Sequence, residues 1–143
     1  MTTTRSALVC TALLVAGSWL TAAPAQADEG LPLHHVKYTM TARKPIYAQI
    51  YYLDHEPAIW ADYGHNPYEF TPNIAADLGP NQPPWTFELD LAKPQEWAMV
   101  IANTGGEPGT PMFHCEISVD GATVVSKDGG PTDKGVLCSI RGW

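Results

Sequence analysis

The sequence predicts an all-β chain folded as a β-sandwich of about seven strands. Three observations carry this: short runs of alternating apolar and polar residues, Pro and Gly punctuation between them, and no convincing apolar stripe at helical spacing. The clearest run is Phe113 to Val119, where Phe113, Cys115, Ile117 and Val119 alternate with His114, Glu116 and Ser118. That period of two marks a strand with one buried face.

Taken in chain order, the first element is not part of the sandwich. Arg5 precedes an apolar run from Ala7 to Leu20, and small residues follow, ending in Ala25-Gln26-Ala27 before Asp28-Glu29. This is the pattern of a secretory signal peptide over residues 1–27. The run is shorter than the roughly 20 residues that span a bilayer, which disfavours a retained anchor. Residues 28–35 are expected to form a flexible new N-terminus, and residues 36–143 the sandwich domain.

Strands are expected at Val36 to Thr41, Ile46 to Leu53, Trp85 to Leu91, Glu96 to Asn103, Met112 to Val119, Thr123 to Lys127 and Gly135 to Arg141. Asp120-Gly121 supplies a type I′ hairpin turn between the fifth and sixth, since both of its central residues need φ > 0. Trp85, Phe87, Leu89, Trp97, Met99 and Ile101 read as core. Seven short strands in one domain of this size imply a sandwich.

Removing residues 1–27 takes Cys10 away and leaves Cys115 and Cys138. An even pair in an oxidising compartment predicts a disulfide. Met112, His114 and Cys115 suggest copper at first sight, but adjacent strand residues point to opposite faces, so His114 and Cys115 cannot grip one ion together. No metal site or cofactor is expected.

The segment 55–83, an insertion between strands, breaks the β pattern. Trp60, Tyr63, Tyr68 and Phe70 stand among several prolines, and the stretch carries acidic residues but no Lys or Arg. Long connections inside compact domains are often functional. These four aromatics either fold back to cover a sheet or form a partner-binding surface.

Acidic residues outnumber basic ones 15 to 8, for a formal net charge of −7. Such a surface repels phosphate backbones, which excludes nucleic acid as a partner. Catalysis is not expected and no catalytic residue is assigned. The chain lacks a G-x-S-x-G elbow, an H-E-x-x-H pair and a phosphate-cradling glycine loop. His34-His35 and Asp54-His55 are sequence neighbours without a sign of a cleft, and Glu88 and Asp90 share only a strand face.

With the strands placed, a family resemblance emerges. Tyr38 in a first strand, Ala48-Gln-Ile50-Tyr-Tyr52-Leu-Asp54 in a second, Pro84-Trp85, Ala102-Asn103, Cys115-x-Ile117-x-Val119-Asp120-Gly121 and Cys138 together resemble the extracytoplasmic domain of the mycobacterial MmpS proteins. The resemblance implies an immunoglobulin-like β-sandwich and a non-enzymatic accessory role beside an MmpL-type transporter of the resistance-nodulation-division class, which exports lipids or siderophores. MmpS proteins keep an N-terminal membrane anchor, whereas the Ala25-Gln26-Ala27 site here implies release into the envelope space or the medium. The alternative reading is a free secreted binder of a small apolar or metal-chelating ligand.

Overall fold

The computed structural model of the chain describes residues 30–142. Residues 1–27, expected from the sequence to be a signal peptide, lie outside the described residues. Those described form two four-stranded antiparallel sheets packed face to face. The first sheet has the order β4 (Trp85–Leu91), β1 (His34–Ala42), β6 (Phe113–Val119), β7 (Ala122–Asp128). The second has the order β3 (Asn73–Leu78), β2 (Ile46–Tyr52), β5 (Met99–Asn103), β8 (Gly135–Ser139). The architecture is therefore a β-sandwich, with eight strands among the described residues rather than about seven.

The additional strand lies inside the segment 55–83. Asn73–Leu78 pairs with β2 from Ile46↔Leu78 to Tyr51↔Asn73. Two alanines, an asparagine and an aspartate dilute its alternation, and as an edge strand it needs apolar residues on one face alone. The same segment folds two short helices, α1 (Trp60–His65) and α2 (Pro67–Phe70). Pro67 opens the second, where its missing N–H costs nothing.

Two other boundaries move for identifiable reasons. β1 begins at His34, because His34 and His35 pair with Leu91 and Asp90 on β4, so this end of the expected flexible N-terminus is strand. β5 begins at Met99 instead of Glu96, because Pro94 starts a one-turn helix, α3 (Pro94–Trp97), that lifts Trp97 off the strand, and Val100 and Ala102 enter the core while Ile101, expected there, lies on the other face.

Val36, Tyr38 and Met40 of β1 face Ala48 and Ile50 of β2 and Val100 and Ala102 of β5 in the core, all fully buried. Cys115 on β6 and Cys138 on β8 are also fully buried, and their disulfide, with Cα atoms 6.0 Å apart, ties one sheet to the other. The hairpin between β6 and β7 turns as the sequence requires, with Asp120 at φ 50° and Gly121 at φ 84°. Ile117 pairs with Val125 and Ser118 with Thr123, which leaves Val124 as a bulge residue on the edge strand. Such a bulge bends a free edge away from pairing with another chain.

Candidate aromatic site at one end of the sandwich

α1 and α2 sit where β2 ends and β5 begins. The Asp54 N–H donates to the Phe70 carbonyl at 3.0 Å and the Tyr52 N–H to the Pro72 carbonyl at 3.3 Å, so the loop closes back on its own stem. Glu56 reaches across to the start of α3. Its carboxylate accepts the Ala92 N–H at 2.9 Å and the Lys93 N–H at 2.5 Å, charge-assisted bonds that fix α3 relative to the loop.

This brings five aromatic rings together. Trp60 stacks on Trp97 with centroids 4.2 Å apart, and Tyr63 packs edge-on to Trp60 at 5.9 Å. Tyr63 also lies 5.7 Å from Trp97 and 6.3 Å from Phe70, and its hydroxyl donates to the Met99 sulfur at 3.7 Å. His55 covers the other side of Phe70 at 4.9 Å. The Arg141 guanidinium closes the stack from above, 4.3 Å from the Trp60 ring centre.

The four residues singled out in the sequence thus divide into two pairs. Phe70 is buried and Tyr63 half-buried, and both cover the core. Trp60 keeps 36% of its surface exposed and Tyr68 keeps 74%, with Ile59 beside them at 58%. Sequence reading missed Trp97, Arg141 and His55 as members of this cluster. Trp97 reads as an ordinary strand residue, and nothing local links Arg141 to a loop more than half the chain away.

Below the cluster lies a cleft of about 480 Å³ lined by His55, Asp62, His65, Glu69, Ala58 and Phe70. His55 hydrogen-bonds its neighbour Asp54 through Nδ1. The lining offers no hydroxyl, thiol or amine nucleophile, and among the described residues no group of three or more His, Cys, Asp and Glu is placed to hold a metal ion.

Beneath the cap, the Tyr38 hydroxyl is fully buried without a hydrogen-bond partner among the described residues. Burial pushes its phenol well above the ordinary range. The nearby Met99 backbone draws it back only in part, and the Glu56 and Asp54 charges add to the rise.

Comparison with known proteins matches this frame. The model of the Rv2576c β-sandwich domain aligns with residues 38–138, from the buried tyrosine of β1 to the second disulfide cysteine. The chain belongs to the Rv2576c β-sandwich family. It is 38% identical over 110 residues to the uncharacterized proteins Rv2576c and MT2652 of Mycobacterium tuberculosis (strains H37Rv and CDC 1551) and Mb2606c of Mycobacterium bovis, covering 77% of this chain and 68% of each relative. The matched family is this one, and the likeness to MmpS domains remains a resemblance. Within the Rv2576c span fall the whole of segment 55–83 and Trp97, whereas Arg141, which closes the stack, lies just beyond it. Among the described residues no helix is long and apolar enough to cross a membrane.

Proposed function

We propose that this protein is a non-enzymatic binding domain of the cell envelope that engages a membrane transporter of the MmpL type, in the manner of the MmpS accessory proteins. The observation that carries this reading is the patch of Ile59, Trp60 and Tyr68, exposed large apolar side chains on a mount held by the Trp97 and Arg141 stack. Binding energy concentrates in a few aromatic anchors presented in fixed positions, because little side-chain entropy is then lost on association. A buried disulfide and the signal-like N-terminus support an oxidising compartment outside the cytoplasm.

The test is copurification from cross-linked envelopes of the natural host. The wild-type chain retrieves a transporter, and Ile59→Ala with Tyr68→Ala loses it at unchanged melting temperature. Undiminished recovery by that stable variant would remove the assigned surface, and absence of any transporter from the wild-type sample would remove the accessory role. The cleft lined by His55, His65, Asp62 and Glu69 favours a second reading, a free binder of a small metal-chelating ligand. A ligand mass carried by the isolated native protein would favour it over the first.

A further inference from the structure

The two outer faces of the sandwich differ in chemistry. On the first sheet, His35 lies between Glu88 and Asp90 at 3.3 and 3.1 Å, Lys37 pairs with Glu88 at 3.3 Å, and His114 lies between Glu116 and Asp128 at 3.1 and 2.9 Å. On the second sheet, β2 turns Tyr47, Gln49 and Tyr51 outward while Ala48 and Ile50 enter the core. The residues that share this face are uncharged apart from Asp77, in a chain of net charge −7.

Strand register arranges the face as a trough running across the strands. Its floor is the row Ala75, Gln49, Asn103, Gly135, in which two members are small or lack a side chain. One wall is Tyr47, 53% exposed, and the other is the row Tyr51, Ile101, Leu137. Tyr47 and Tyr51 stand four residues apart on one strand, about 13 Å. At the β8 end lies a depression of about 340 Å³ beside Ile101, Asn103, Gly135 and Leu137, lined also by the charged Lys127, Asp128 and Asp133. Gly135 packs close against β5, where an added Cβ would meet the Ala102 carbonyl oxygen at 2.8 Å.

An ordered polar pair links the floor to the Tyr51 row. Asn73 Nδ2 donates to Gln49 Oε1 at 3.0 Å, and the Gln49 stem is held by the turn residue Gly105, whose backbone leaves no room for a Cβ beside it. This bond leaves the Gln49 amide NH2 and the Asn73 amide oxygen with no other partner among the described residues. Turning both amides over leaves the same complement.

We propose that this trough binds a linear neutral glycan, one chain lying across the strands between the Tyr47 and Tyr51 rings. Adjacent hydroxyls of a sugar ring both donate and accept, which matches the Gln49–Asn73 pair. The apolar faces of sugar rings suit exposed tyrosines, and an uncharged polymer is not repelled by an acidic protein. Sites of this kind combine aromatic walls with a few placed polar groups. The inference is independent of the transporter reading, since the trough uses none of the residues of the Ile59, Trp60 and Tyr68 patch.

Calorimetric titration of the full-length chain, expressed for export and purified, with maltohexaose and with cellohexaose tests it. At least one oligosaccharide should bind. Tyr47→Ala should weaken binding about tenfold or more, as loss of an aromatic anchor does. Ala75→Trp, an exposed edge position, should block the trough, and Glu88→Gln on the opposite sheet should leave binding unchanged. Absence of binding to both oligosaccharides overturns the proposal, as does binding indifferent to Tyr47→Ala and Ala75→Trp. Self-association that Ala75→Trp abolishes, without sugar binding, would assign the trough to a second copy of the chain and equally overturn it.

Discussion

Arg141 lies with its guanidinium 4.3 Å from the centre of the Trp60 ring, so the residues after the last strand clamp the loop that follows the second. The same indole stacks on Trp97 with ring centroids 4.2 Å apart. An aromatic ring packed against both a cation and another ring keeps its orientation.

The cap should respond unevenly to truncation. Phe70→Ala should cost about 3 to 5 kcal/mol, the usual loss for a buried aromatic, whereas Tyr68→Ala should stay within about 0.5 kcal/mol of wild type. Arg141→Ala should cost about 0.5 to 1 kcal/mol through the lost cation–π contact and shift the tryptophan fluorescence. Urea denaturation of the three variants reads this order, and a Tyr68 variant as damaged as the Phe70 one would show that the outer aromatic belongs to the core.

Because the Cys115–Cys138 bond joins opposite sheets and closes a loop of 23 residues in sequence separation, it restricts the unfolded chain. Cys138→Ala should lower stability by about 2 to 5 kcal/mol. Two titratable thiols in the natively purified protein would contradict the assignment.

Tyr38→Phe removes a buried hydroxyl that has no hydrogen-bond partner among the described residues, while keeping the ring that stacks 6.4 Å from Phe87. Deleting an unsatisfied polar group should leave stability unchanged or raise it. A loss greater than about 1 kcal/mol in denaturant unfolding would instead reveal a partner for the hydroxyl, such as a buried water.

Stability should peak in mildly acidic solution. Hydrogen bonding to Asp90 raises the His35 pKa above 6.5, and for His114 partial burial is outweighed by hydrogen bonds to Glu116 and Asp128. Groups with raised native pKa values stabilise the fold fully below their unfolded value, so this contribution fades as pH climbs past 6.5 and through the native values. His34, with the His35 backbone N–H, lowers the Asp120 pKa below 3.8, so its contribution holds above that pH and is lost as pH falls through the native value. Melting temperature measured against pH should show both declines, and His114→Gln should flatten the one at higher pH. A melting temperature that rises steadily from pH 6 to 9 would refute the histidine part.

The sequence by itself determined the sandwich, the cysteine pair and the hairpin at Asp120-Gly121. Each is encoded locally: alternation reports a half-buried strand, and a left-handed turn demands residues such as Asp and Gly. It also marked Trp60, Tyr63, Tyr68 and Phe70 as a group, but not which would face outward. Tertiary structure decided that, because burial depends on what lies opposite: Met99 and Trp97 receive Tyr63, while nothing among the described residues covers Tyr68. Strand β3 was illegible for a related reason. Asn73–Leu78 alternates in burial, but with alanine on both faces the contrast is faint in the sequence, and it becomes a strand because β2 offers it a ladder.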